Sequence, residues 1–149
     1  MDTVKDLLET KGREVLSIKA SASVYEAIEM MARMEVGALT VLDEKEKLSG
    51  IVSERDYARK IILNGKTSRD TKVADIMTSN VISVGEETTV GKCMSVMSQK
   101  KIRHLPVLKR DDLVGIITVG DLLKFTVKTQ SKAIEELESY IMGETGGSG

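Results

Sequence analysis

Two short segments carry the side chains best suited to chemistry. Ser53-Glu54-Arg55-Asp56 and Thr118-Val119-Gly120-Asp121 each set a hydroxyl three residues ahead of a carboxylate. Both follow an apolar run, Gly50-Ile51-Val52 or Gly115-Ile116-Ile117, and both open a stretch of helical pattern. At a helix start the hydroxyl accepts from a first-turn N–H while the acid reaches back, a capping box that needs no ligand. The same terminus offers free N–H groups and the positive end of the helix dipole, which attract phosphate. A carboxylate held there can also accept from two vicinal hydroxyls, the pair that a ribose presents. Spacing alone leaves two uses open: a cap by itself, or a cap that also holds a nucleotide. Arg55 sets a cation beside Asp56 that suits phosphate, whereas the second segment has Gly120 in that place.

Other reactive residues are few. Arg103 and His104 form a basic pair at the start of a strand, facing solvent or a ligand; a histidine near its ordinary pKa would make a ligand contact pH-dependent. One histidine and one cysteine cannot build a zinc site from protein ligands alone. Cys93 lies on an apolar helical stripe and reads as a buried structural thiol. Met30, Met31, Met34, Met94 and Met97 read as filler of a core or a subunit interface. Tyr57 and Arg59 border the first segment or simply face water. No base, nucleophile and metal cluster converge, so the chain is read as a non-enzyme with no metal.

Composition narrows the setting. The 149 residues are 41% hydrophobic and 30% charged, typical of a globular domain, and the net charge of −1 lacks a nucleic-acid binder's basic field. Aromatics at 3% leave no stacking platform for single strands. The longest uncharged stretch, residues 76–85, is about half a membrane span. Charges at Asp2, Lys5, Asp6 and Glu9 fit no secretory leader. The expectation is a soluble, cytoplasmic protein that engages neither nucleic acid nor membrane.

The chain also repeats itself, and the two reactive segments are equivalent positions of the repeat. Val4-Lys5-Asp6-Leu7-Leu8 returns as Val73-Ala74-Asp75-Ile76-Met77, Val15-Leu16-Ser17-Ile18 as Val81-Ile82-Ser83-Val84, and Gly50-Ile51-Val52-Ser53 as Gly115-Ile116-Ile117-Thr118. The offset falls from 69 to 66 to 65 where loops shorten. Each unit reads as strand, helix, strand, strand, helix, with the first strand at residues 15–18 or 81–84. Val24, Ala27, Ile28 and Met31 make one helical stripe and Val90, Cys93, Met94 and Met97 the other. Ser23 and Glu26 give the first of these helices a capping box. Hairpins follow at Ala38–Leu42 to Leu48–Ser53 and at 105–108 to 113–118, and a second helix begins near Glu54 or Val119. A further amphipathic helix is predicted over residues 131–142, and the tail 145–149 is read as flexible.

The paired G-h-x-[ST]-x-x-D segments, Asp75-Ile76-Met77-Thr78 and Arg103-His104-Leu105-Pro106-Val107 resemble CBS domains, and two copies in register resemble a stand-alone tandem pair, or Bateman module. The resemblance implies an α/β (α+β) fold of two β-α-β-β-α repeats, packed sheet to sheet with pseudo-twofold symmetry, plus the C-terminal helix. Repeat one is placed at 1–68, repeat two at 69–128, and the helix and tail at 129–149. The resemblance also implies adenosine compounds in the cleft between repeats, with the motif Asp on ribose. One site then joins Ser53, Arg55 and Asp56 to Asn80, Ile82, Ile102 and Arg103. The other joins Thr118 and Asp121 to Glu14, Leu16, Val36 and Ala38, and Arg103 with His104 reaches ligand phosphates. The Asp56 site is favoured as the tighter. AMP stands first among AMP, ADP, ATP and NAD(H), with S-adenosylmethionine behind them and no metal required. The implied protein is a homodimeric sensor acting on an unidentified protein partner in trans. The alternative is a ligand-independent dimer or adaptor whose capping boxes are only caps.

Overall fold

The computed structural model describes residues 2–146, with side chains to residue 141. Its elements run α1 (Val4–Lys11), β1 (Ser17–Lys19), α2 (Val24–Met34), β2 (Ala38–Leu42), β3 (Leu48–Ser53) and α3 (Glu54–Tyr57), which continues as a π turn over Ala58–Ile62. They continue with α4 (Val73–Ile76), α5 (Val90–Lys100), β4 (His104–Lys109), β5 (Asp112–Thr118) and α6 (Val119–Gly146). Of the tail read as flexible, residues 145 and 146 close α6 and residues 147–149 lie outside the described residues.

The two repeats are built alike because their local signals are alike. Ser23 caps α2 through Glu26 N–H, and Thr89 caps α5 through Lys92 N–H. Both helices end on a left-handed residue, Glu35 or Lys101. Val36 N–H then donates to Met31 C=O and Ile102 N–H to Met97 C=O, so the chain leaves both helices in the same direction. The predicted stripes turn inward: Val24, Ala27 and Met31 are buried on α2, and Val90, Cys93 and Met97 on α5. Burial pushes the Cys93 thiol pKa up, as an inert core thiol requires.

One sheet has the order β1-β2-β3, with β1 parallel and β3 antiparallel to β2; the other is the antiparallel pair β4-β5. The strand expected over residues 81–84 is reduced to one bridge, Val84 with Val107. Its first-repeat counterpart shows why. Thr40 N–H donates to Leu16 C=O at 3.2 Å, and the equivalent pair would be Pro106 and Ile82. Proline has no N–H, so that rung cannot form and the ladder stops.

A second difference concerns the leading segments. The predicted units begin with a strand, but the repeated Val4 and Val73 segments fold as α1 and α4 ahead of it. Each leading helix packs in the other repeat's core. Val4, Leu7 and Leu8 join Cys93, Leu105 and Ile117. Val73 and Ile76 join Val24, Leu39 and Val52. The motif glycines make room for this exchange. A Cβ on Gly115 would sit 2.9 Å from Leu8 side-chain carbons, and one on Gly50 would sit 2.8 Å from the Thr78 carbonyl oxygen. Lys47 and Asp112 tie the two hairpins at their tips at 2.6 Å. Finally, the helix starting at Val119 and the one predicted over 131–142 are a single 28-residue helix, because no residue between them breaks it.

Candidate functional site

Both strand-to-helix junctions close as capping boxes. Asp56 Oδ2 accepts from Ser53 N–H at 3.0 Å and Ser53 Oγ at 3.1 Å, while Asp56 N–H donates to Ser53 Oγ at 3.2 Å. Asp121 Oδ2 accepts from Thr118 N–H at 2.9 Å, and Asp121 N–H donates to Thr118 Oγ1 at 3.0 Å. Each carboxylate also meets a lysine that the sequence reading passed over. Lys60 Nζ lies 3.3 Å from Asp56 Oδ1 and donates to Ile76 C=O at 2.7 Å. Lys11 Nζ lies 2.6 Å from Asp121 Oδ2 and donates to Ile116 C=O at 2.7 Å. The first pair is legible, since it is spaced i, i+4 on one helical turn. The second joins residues 110 apart and has no local signal.

These contacts set the electrostatics of the second junction. Burial opposes the charge of Asp121, but Lys11 and the Thr118 bonds together outweigh it and hold the carboxyl below its usual range. His104 sits across from Thr118 in the β4-β5 pairing, which sets both side chains on one face. Burial first, then the charges of Arg103 and Lys11, lower the His104 pKa, while Asp121 pulls the other way. At neutral pH the imidazole is therefore neutral. Arg103, one residue earlier, is exposed, and its C=O accepts Val119 N–H at 3.1 Å.

The remaining predicted residues fall around these junctions. Thr78 and Ile51 exchange backbone hydrogen bonds at 2.8 and 3.0 Å, bringing the segment toward Asn80 and Ile82 against β3 two residues before Ser53. Lys11 does the same for the second junction, from which the chain runs on to Glu14 and Leu16. Glu14 and Asn80 are exposed, as is Arg55, while Leu16, Val36, Ile82 and Ile102 are half-buried. Ala38 is buried and pairs directly with Ser53. Among the described residues no hydrogen bond or ion pair joins Asp56 to Asn80, Ile82, Ile102 or Arg103, or Asp121 to Glu14, Leu16, Val36 or Ala38. A groove of about 770 Å³ opens beside the β2-β3 tip, lined by Lys19, Lys45, Lys72, Asp43 and Glu44 among others, and includes none of the predicted site residues. No described helix is long and apolar enough to cross a membrane.

The family model for the CBS domain matches residues 4–63 and again 73–128. The chain belongs to the CBS-domain family. This CBS pair is 38% identical over 149 residues to the CBS domain-containing protein CBSX3, mitochondrial, of Arabidopsis thaliana, covering 95% of this chain and 72% of that one. Some curated relatives are much longer, and the chain spans 24% of the Arabidopsis protein CBSCBSPB1, at 31% identity. The crystal structure of the CBS domain protein NE2398 is 41% identical with a TM-score of 0.80, over 85% of this chain and 98% of that one. The CBS domain pair of MJ0100, solved in complex with 5′-methylthioadenosine and S-adenosyl-L-methionine, is 28% identical with a TM-score of 0.75, over 87% of this chain and 98% of that one. The family and the mixed α/β fold expected of it are thus both present.

Proposed function

We propose that this CBS pair is a regulatory module that binds an adenosine compound, AMP first, against the Ser53–Asp56 and Thr118–Asp121 junctions. The observation that carries the reading is the equivalent placement of two carboxylates at helix starts, in a chain similar to a CBS pair solved with two adenosine ligands. Asp121 Oδ1 stands outside both the cap and the Lys11 pair among the described residues, and a ribose hydroxyl can donate to it. Lys11 and Lys60 then supply charge for ligand phosphates. Ile82 C=O, left without a rung by Pro106, is a backbone acceptor for an adenine amine. Arg103 and His104 serve as the further phosphate contacts, and Asn80, Ile102, Leu16, Val36 and Ala38 as walls of the adenine pockets.

The mechanism follows from the exchanged helices. Lys11 reaches Asp121 from α1, and α4 reaches Lys60 through Ile76 C=O, so each junction is contacted by an element from the other half of the sequence. A ligand that rearranges either contact changes the preferred angle between repeats. Its differential affinity sets how far that balance moves. The output passes to a protein partner in trans through a homodimer, in a cytoplasmic setting. A second reading, a ligand-independent adaptor, draws on the closed capping boxes, which engage one oxygen of each motif aspartate without ligand.

A thermal-shift panel decides between them, using AMP, ADP, ATP, NAD+, NADH and S-adenosylmethionine on wild type, Asp56→Ala and Asp121→Ala. A ligand at about 100 times its Kd adds roughly 2.7 kcal/mol, on the order of 5–10 °C for this length. The expected outcome is a rise with one adenine compound, lost in one aspartate variant. No shift with any compound at millimolar concentration rejects nucleotide sensing in favour of the adaptor.

A further inference from the structure

Lys11 holds the second junction in a way that Lys60 does not hold the first. Asp121 Oδ2 carries two donors, Thr118 N–H at 2.9 Å and Lys11 Nζ at 2.6 Å. Asp121 Oδ1 stands outside both contacts among the described residues. A vicinal diol grips a carboxylate by donating one hydroxyl to each oxygen. One oxygen of Asp121 is open to such a diol and the other is crowded. The Thr118 bond belongs to the capping box and is set by the backbone. Lys11 is therefore the donor that must move before a ribose can use both oxygens.

The helix behind Lys11 is fixed. Leu8, one turn earlier, is fully buried and packs against Gly115, and Gly12, at φ 102, turns the chain away just after the lysine. The ammonium also donates to Ile116 C=O at 2.7 Å, and its side chain is only 27% exposed. Taking Asp121 from so sheltered a charge without replacing it costs more than one ordinary hydrogen bond returns. A ligand phosphate replaces it with a charge-assisted acceptor. An uncharged nucleoside offers no replacement, and a sulfonium brings a second positive charge. The surroundings carry the same sign, since Arg103 and Lys11 both act on His104 against its protonation.

The first junction is built differently. Lys60 lies 3.3 Å from Asp56 Oδ1, is 43% exposed and follows Asp56 by four residues, so it can turn into water without disturbing another element. Gly37 C=O accepts Glu54 N–H where Arg103 C=O accepts Val119 N–H, so glycine and an acid stand where the second junction has arginine and valine.

We propose that Lys11 is the specificity-determining residue of the second junction. It rests on Asp121 in the empty site and passes to a ligand phosphate when ribose takes both carboxylate oxygens. This junction therefore selects phosphorylated adenosine over uncharged or cationic adenosine compounds, and the first junction discriminates less. The role rests on the nucleotide reading above and adds the class of ligand that one junction accepts.

Calorimetric titration of the full chain with AMP and with adenosine, which differ only in the phosphate, tests this. An Asp56→Ala background leaves the second junction to be read alone. There AMP should bind roughly tenfold or more tightly than adenosine, the scale of one charge-assisted bond. Lys11→Met keeps an apolar stem and removes the ammonium, so AMP should weaken, adenosine should tighten and the ratio should close. Lys11→Gln, which keeps a donor without charge, should close it too. Lys5→Met, exposed on the same helix, should leave it unchanged. In the ligand-free chain, the Asp121 carboxyl should titrate higher in Lys11→Met, because its lysine partner is gone. A ratio that survives both Lys11 variants, adenosine weakening in step with AMP, or loss of all AMP binding in Asp56→Ala alone overturns the role of Lys11 and leaves the nucleotide reading standing. No binding of AMP or adenosine to the wild type rejects both.

Discussion

His104 sits in an environment that disfavours its charged form. Burial and the charges of Arg103 and Lys11 lower its pKa in the folded chain, while in the unfolded chain it titrates at its usual value near 6.5. Above that value both states hold it neutral and it costs nothing. As pH falls through 6.5 the unfolded chain takes a proton that folded His104 refuses, so stability declines on the acid side. His104→Ala should therefore flatten the change in urea midpoint between pH 7 and pH 5.5. A ligand phosphate beside the imidazole would favour the charged form and raise its pKa again. AMP should then bind more tightly at pH 6 than at pH 8, with a proton taken up, and His104→Ala should remove that dependence. If the variant keeps the same pH profile of AMP affinity, His104 makes no phosphate contact.

Among the elements, the first strands of the two repeats share a pattern and differ in outcome. In the first repeat Ser17–Lys19 pairs as a ladder, two residues later than the pattern at 15–18 predicts, whereas Val81-Ile82-Ser83-Val84 makes one bridge, and the cause is a residue on another strand, Pro106 in place of Thr40. Pro106→Thr should restore an N–H for Ile82 C=O and lengthen the bridge to a ladder. The added hydrogen bond contributes about 0.5–1.5 kcal/mol. Removing proline costs about 0.4–1 kcal/mol through the unfolded chain. Net stability should therefore change little, while amide exchange shows a new protected N–H at position 106; an unprotected amide there would mean that something else stops the strand. The same logic separates what was legible from what was not. Hairpins, α2, α5 and both capping boxes follow from residues within one or two turns of each other, and all were readable. Val4, Leu7 and Leu8 already show the i, i+3, i+4 stripe of α1, but nothing local says which core receives it. Lys11 on Asp121 is a product of that docking, so it was hidden for the same reason. The continuity of α6 was missed because two apolar faces, one docked and one projecting, look like two helices when read by stripe alone.

At the scale of the molecule, the exchange of leading helices makes the two repeats interdependent. Val4, Leu7 and Leu8 are almost fully buried in the second repeat's core. Burying such side chains is worth roughly 1.5–3 kcal/mol each. Three of them together approach the whole net stability of a typical domain, about 5–15 kcal/mol. Removal of residues 1–12 should therefore damage the repeat that is distant in sequence more than the one it adjoins. In hydrogen exchange, α5, β4 and β5 should lose protection, while β2 and β3, whose core is closed by α4, keep most of theirs. A peptide of residues 2–12 supplied in trans should return protection to the second repeat, since its contacts are burial and a few backbone bonds such as Val4 N–H to Thr88 C=O at 2.8 Å. The truncation also takes Lys11 from Asp121, so any nucleotide effect at the second junction should fall with it and recover with the peptide. Uniform loss across both repeats, or loss confined to β1 through β3, would show that the cores stand or fall along the sequence halves and that the crossed packing carries little of the stability.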